Sequence, residues 1–275
     1  MGLWRRMRDS LRDGSFGRKV LARALGPRWV PARKVLIDEY LAAHYPGERW
    51  KPLSAAAREA WVQHAPLFSQ HAVRTIAYAG AHLGATALAL NEAFPGARFV
   101  LLEPAPDTFR QLAANTAGCP SMSCLNLAAG ASEGSQDFYL DAYAPASSLL
   151  PYETVALEEF PFLGRQAKTT VQVKPLDAIM LECGLAGQVD MLIMDVQGYE
   201  DQVLLGAGQT LESCAVVISE LSLQPLYAHS STFDSVYQAL TRRGFCLRFL
   251  LNPLEGVHRQ ILQVDGVFVR EPPRK

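Results

Sequence analysis

The chain has 275 residues, 49% of them hydrophobic, and its charges nearly cancel to a net −1. That length and composition can bury a large α/β core with some decoration, and they exclude a disordered or low-complexity chain. The five cysteines form no C-x-x-C pair and mostly lie in or beside apolar runs, so they read as reduced core residues, and no His/Cys cluster has zinc spacing.

The balanced total hides an asymmetry. Residues 1–34 carry ten Lys or Arg against only Asp9 and Asp13, leaving the remainder acidic. Leu3, Trp4, Met7 and Leu11 recur at helical spacing, so the first turns form either a basic amphipathic helix suited to an anionic membrane surface, nucleic acid or an acidic partner, or a docked helix with a solvated basic face. Gly14, Gly17 and Gly26 soon interrupt that period. No segment joins an apolar stretch to a small-residue cleavage site, which favours a cytoplasmic protein, peripheral at the inner membrane surface if the basic helix binds there. Val35–His44 and a unit capped by Ser54 read as flanking helices, giving an N-terminal helical extension over 1–70 before a domain over 71–275.

The stretch Thr75 to Glu103, TIAYAGAHLGATALALNEAFPGARFVLLE, is the most informative. Ile76 to Ala79 suits a buried strand, Gly80 and Gly84 free the backbone of a turn, and Ala85 to Phe94 reads as a helix stopped by Pro95 and Gly96. Arg98 to Leu102 returns as a strand ending at Glu103, where a carboxylate can accept both hydroxyl protons of a ribose. A dinucleotide fingerprint needs glycine two residues after Gly80, yet His82 stands there. The turn therefore favours a nucleoside lacking phosphates, with S-adenosylmethionine the commonest such cofactor, over a nicotinamide dinucleotide. The uncharged run Thr75–Asn91 contains His82, two glycines and a strand-to-helix change, so it is no membrane span.

Pro106 to Asn115 reads as the next helix, with Phe109 and Leu112 inward, and Ser123 to Leu127 as the third strand. Gly130 to Lys174 is less regular, holding a strand over Gln136–Leu140 and the PASSLLP segment, and is where a substrate lid belongs. Val171–Lys174 reads as a strand and Leu176–Cys183 as a helix. Val189 to Met194 is apolar apart from Asp190, a buried parallel strand ending at Asp195 beside Gly198. Glu200–Ala207 follows as a helix, Val216–Ser219 as a strand ending at Glu220, Phe233–Arg242 as a helix, and Phe245–Leu250 with Val264–Val269 as a terminal antiparallel pair. Acids at strand C-termini face the ligand crevice of a doubly wound sheet.

The ordered set GAHLGATALAL, LLEPAPDTFRQLAAN, ASSLL, PLDAIM, VDMLIMDVQGYEDQVLLGAGQTL, ISELSLQPLY and QVDGVFVR resembles the FkbM family of S-adenosylmethionine-dependent methyltransferases from about residue 74 to 270. The resemblance implies a class I methyltransferase, Rossmann-like fold: a doubly wound, mostly parallel seven-stranded sheet with helices on both faces. It also implies methyl transfer to a hydroxyl of a saccharide or small natural product. Carried over by position, Tyr78, Gly80, Ala81, His82, Gly84, Glu103, Pro104 and Asp195 would surround the cofactor. Three positions depart from the family: Tyr78 replaces an acid, His82 an Asn and Ile193 a Lys. A degenerate, non-catalytic binding module is the alternative those departures raise.

Methyl transfer from a sulfonium is an in-line displacement and needs an acceptor for the hydroxyl proton. The candidates are Asp195, then Glu220, His229 and His258. Glu220 could instead orient the substrate or share a metal with Asp195, although no metal set is readable. Ser147 and Ser148 could meet an acceptor hydroxyl, while Tyr199 most simply packs and Gln197 most simply orients backbone. The expected acceptor is a small molecule or saccharide, with no nucleic acid.

Overall fold

The structure, a computed structural model, describes residues 72–160, 162–164, 166–256 and 260–270. The basic N-terminal segment, the flanking helices and His258 lie outside the described residues. The chain opens with β1 (Thr75–Ala79), α1 (Ala85–Ala93), β2 (Arg98–Leu102), α2 (Pro106–Thr116) and β3 (Met122–Leu125). It continues through β4 (Ala128–Ala129), β5 (Gly134–Leu140), α3 (Thr154–Glu159), β6 (Ala167–Lys174), α4 (Leu176–Glu182) and β7 (Met191–Met194). It closes with α5 (Glu200–Leu205), α6 (Gly208–Ser213), β8 (Val216–Ser222), α7 (Phe233–Thr241), β9 (Phe245–Glu255) and β10 (Ile261–Arg270).

Seven strands form one sheet in the order β3-β2-β1-β7-β8-β10-β9. The pairs from β3 to β8 are parallel, and β10 runs antiparallel to both its neighbours. Every residue of β1 and β7 is buried, because helices cover both faces, and that explains why these strands are unbroken apolar runs rather than alternating ones. Alternation decides only which core each side chain joins. Ala77, Val100, Leu192 and Val217 pack with α4, α5, α6 and α7, whereas Ile76, Phe99, Met191 and Ile193 pack with α1 and α2. Each fully buried Leu or Ile contributes about 1.5–3 kcal/mol.

The polar exception in the β7 approach has a structural task. Asp190 Oδ2 accepts the backbone N–H groups of Arg74 at 2.8 Å and Thr75 at 3.0 Å, fixing where β1 begins. Sheet order reverses between β1 and β7, and there their C-terminal ends nearly touch: a Cβ on Gly80 would overlap the main-chain carbonyl of Asp195. Gly80 is also left-handed at φ 84°, so two independent constraints demand glycine.

Several expectations change. The Gly130–Lys174 stretch is more regular at its ends than expected: β5 and β6 join β4 in a second, three-stranded sheet, with β6 starting at Ala167 and pairing antiparallel with all of β5, while the stretch between them lines both cavities. Alternating polar residues along both strands kept that pairing from standing out. The helix expected over Glu200–Ala207 ends at Leu205 and a separate, unexpected helix, α6, follows from Gly208; at Gly206 between them a Cβ would run into the carbonyl of Gly130. The inner face of α2 is Thr108, Leu112 and Thr116, with Phe109 only half-buried. Glu220 lies within β8, opposite Asp265 of β10, rather than at a strand end. Cys214 is buried, the other four cysteines are half-buried, and all five are free. Among the described residues no helix is long and apolar enough to cross a membrane.

Gly80→Ala and Gly96→Ala separate backbone strain from collision, since both glycines are left-handed but only Gly80 has atoms in the way. Urea unfolding should show a loss of about 1 kcal/mol for Gly96→Ala and about 3 kcal/mol or more for Gly80→Ala. Equal losses would contradict the close crossing of β1 and β7.

Candidate active site

The turn after β1 is tied to the end of β2. The N–H groups of Gly80 and Ala81 both donate to the Leu102 carbonyl, at 3.0 and 2.9 Å, and His82 N donates to Glu103 Oε2 at 3.0 Å. Glu103 Oε1 accepts from Ala105 N at 2.9 Å, so each carboxylate oxygen holds one backbone donor and keeps a further lone pair. Burial pushes this carboxyl up to about 7, against the pull of the two N–H groups.

This turn forms one side of a cavity of about 190 Å³, whose other walls include Tyr78, Thr86, Pro104, Asp195 and Gln197. His82 is left-handed at φ 49°, burial lowers its pKa and keeps the ring neutral, and its buried Nε2 has no hydrogen-bond partner among the described residues. Seven of the eight expected cofactor residues line the cavity: Tyr78, Gly80, Ala81, His82, Glu103, Pro104 and Asp195. Gly84 does not. It starts α1 at φ 83°, and a Cβ there would press on Leu112 and Thr116, so its job is to let α1 meet α2.

Asp195 follows β7 and opens into the cavity while protein encircles it on its other sides, and this desolvation raises its pKa. Gln197 Nε2 donates to Asp195 Oδ1 at 2.8 Å and lies 3.4 Å from Glu220 Oε2. One amide therefore bridges two acids. Its Oε1 accepts from the Tyr227 hydroxyl at 2.8 Å, and Ser148 Oγ donates to its carbonyl at 2.8 Å. Gln197 itself is left-handed at φ 54°, a strained state held by these contacts. Glu220 also accepts from Gln263 Nε2 at 2.8 Å. Burial pushes its carboxyl well up, and Asp195, Glu200 and Asp265 add to the effect.

A second cavity of about 230 Å³ adjoins the first, sharing Tyr143, Pro145 and Gln197 with it. Glu220 and Gln263 stand in its wall. Among the described residues no Lys or Arg lines either cavity, and no group of three or more His, Cys, Asp or Glu could hold a metal.

The structure thus brings Asp195 and Glu220 together but leaves His229 exposed on the turn beyond Tyr227, lining neither cavity. Ser147 reaches the first cavity, whereas Ser148 is buried and spent on Gln197. Tyr199 packs as expected, its hydroxyl on Gln136 at 3.0 Å. The side chains of Gln197, Tyr227 and Gln263 were missed as site residues. Each lies in one of the family-like blocks, DVQGYE, ISELSLQPLY and QVDGVFVR, and that was the signal that hinted at them.

A seven-stranded sheet of this order, with one antiparallel strand and an acid-lined crevice at its switch point, defines a class I, Rossmann-like methyltransferase fold. The chain belongs to the FkbM methyltransferase family: the model of the methyltransferase FkbM domain matches residues 79–247. The family's cofactor is S-adenosylmethionine. No curated protein matches the chain. Among solved structures, the magnesium protoporphyrin IX methyltransferase of Synechocystis PCC 6803 with bound SAM is 11% identical, with 87% of this chain and 97% of that chain covered at a TM-score of 0.45. A TehB-like SAM-dependent methyltransferase from Corynebacterium glutamicum is 12% identical, with 85% and 100% covered at 0.40. Fibrillarin from Aeropyrum pernix with natively bound S-adenosyl-L-methionine is 14% identical, with 72% and 66% covered at 0.39.

The residues present fit that cofactor. The spare lone pairs of Glu103 suit ribose hydroxyls, the unpartnered Nε2 of His82 is a polar contact for a ligand atom, and acids with no lining cation among the described residues suit a sulfonium.

Burial raises Glu103 and Glu200 alike, each to about 7. The folded state then holds these protons more tightly than the unfolded chain, whose carboxyls titrate near 4.5. Their contribution to stability is full below that value and is lost as pH rises through about 7. The urea midpoint of the ligand-free protein should fall between pH 5 and 8. Glu103→Gln, which cannot ionise, should give a flatter profile whatever its absolute stability, and parallel profiles would contradict the buried-acid assignment.

Proposed function

We propose that this methyltransferase acts on a hydroxyl oxygen of a small molecule, a saccharide or natural product, seated in the second cavity, with Asp195 as the proton acceptor. The observation that supports this reading is the pair of adjoining cavities joined at Gln197, one carrying Glu103 and Asp195 and the other Glu220. S-adenosylmethionine, when bound, would supply an electrophilic methyl group for the acceptor oxygen.

The chain's own residues then hold and position. Glu103 would accept the ribose hydroxyls of the cofactor, and the Gly80–His82 turn would hold it from one side. Asp195, its carboxyl raised by desolvation, takes the hydroxyl proton. Gln197 fixes the Asp195 carboxylate from one side, and Tyr227 fixes Gln197. Glu220 and Gln263 orient the acceptor. Much of the rate comes from this positioning.

Isothermal titration with S-adenosylmethionine and S-adenosylhomocysteine is the first test, and binding of neither would leave the degenerate binding module as the better reading. Glu103→Ala should weaken cofactor binding about 10- to 100-fold through the loss of charge-assisted hydrogen bonds. Asp195→Asn should bind the cofactor nearly as the parent does and lower turnover about 10²- to 10⁴-fold. Normal turnover in Asp195→Asn would remove it as the base.

A further inference from the structure

We infer that the second cavity takes a phenolic acceptor, a largely apolar aromatic ring bearing one hydroxyl at the Glu220 end, in preference to a saccharide. This inference rests on the methyltransferase reading above and narrows its substrate class.

The lining is mostly aromatic and aliphatic. Tyr143, Tyr152, Phe160, Phe162 and Tyr227 supply aromatic wall, with Leu226 and Leu254 beside them. Their rings meet at varied angles: Tyr143 and Phe162 edge to face at 5.5 Å, Tyr152 and Tyr227 tilted by 41° at 5.5 Å, Phe160 and Phe162 tilted by 58° at 5.9 Å. Such a wall offers both ring faces and ring edges, the two surfaces an incoming aromatic ring prefers. An apolar cavity of about 150 Å³ accommodates benzene, so about 230 Å³ suits one substituted ring or a small fused pair.

The non-aromatic polar side chains of the lining gather at one place. Gln197, Glu220 and Gln263 are linked by hydrogen bonds at that end, and Gln197 also faces the cofactor cavity. A hydroxyl placed there lies one side chain, Gln197, away from Asp195. A saccharide carries hydroxyls all round its ring, and several would lie against Phe160, Leu226 and Leu254 with nothing to bond. Each hydroxyl buried unpaired costs about 5- to 100-fold in affinity.

Acidity points the same way. A phenol ionises near 10, within reach of a carboxylate lifted by burial, whereas an aliphatic alcohol lies close to water at about 15.7. Burial and three neighbouring acids also hold Glu220 well above the usual carboxylate range, so that end disfavours a ligand bringing negative charge of its own.

The test uses the full chain saturated with S-adenosylhomocysteine and titrates two probes, 4-ethylphenol and methyl β-glucopyranoside. The phenol should bind at least about ten-fold tighter. Ala156→Met, which fills the cavity from α3, should weaken the phenol at least about ten-fold while leaving S-adenosylhomocysteine binding within about two-fold. Because Ala156 is fully buried, Leu254→Gln on the half-buried rim serves as the second variant and should weaken the phenol several-fold without affecting the glucoside. Equal or tighter glucoside binding would overturn the inference, as would phenol binding that neither variant changes. Failure of S-adenosylhomocysteine to bind while the phenol still does would instead strike the methyltransferase reading and leave the cavity assignment standing.

Discussion

The close crossing of β1 and β7 is the constraint on which the rest of the site depends. Gly80 passes so near the Asp195 carbonyl that no side chain fits between them, and Asp195 N donates to the Ala79 carbonyl at 3.0 Å. The last residue of one strand and the first acid beyond the other are thereby locked together. Asp190 secures the opposite ends of the same two strands through Arg74 and Thr75. Between these clamps the turn has only one place to go, over the end of β2, where Leu102 and Glu103 take its three N–H groups. Cofactor crevice and sheet reversal are thus one piece of geometry.

Two family departures that looked independent in the sequence belong together in the structure. Tyr78 and Ile193 are partners in register across β1 and β7, and both pack in the same apolar cluster. An acid at one position and a lysine at the other would form a buried pair. Replacing both at once leaves no unpaired charge, which is far less costly than losing one partner. The substitutions therefore argue less for a degenerate site than either does alone. They leave the crevice with acids and, among the described residues, no lining cation, while burial above all raises the pKa of Glu103, Asp195 and nearby Glu220. Gln197 moderates that strain, since a single neutral amide offers N–H to Asp195 and Glu220 together.

Elements governed by local pattern were legible. Unbroken apolar runs marked β1, β2 and β7, and acids just beyond strands marked Glu103 and Asp195, because a parallel strand buried on both faces needs no alternation and its C-terminal end meets the ligand. Glycine was readable as a turn but not as to purpose: Gly80 serves a backbone crossing and lines the crevice, while Gly84 serves helix packing. The second sheet was not legible, since β5 and β6 are largely polar on their exposed sides and find each other across a long insertion. Gln197, Tyr227 and Gln263 come from three separate segments, and nothing local ties them together.

The amino-acid sequence by itself determined the seven main-sheet strands in chain order, the nucleoside-type turn and the two acids that flank it, since each follows from periodicity, steric freedom or position along a few consecutive residues. Only the tertiary structure decided that Glu220 leaves the strand-end row to meet Asp195 through a shared amide, that His229 lies outside both cavities, and that an aromatic-walled cavity abuts the cofactor crevice. Those features depend on side chains distant in sequence converging in a packed interior, where the contacts are chosen by the whole sheet rather than by neighbours along the chain.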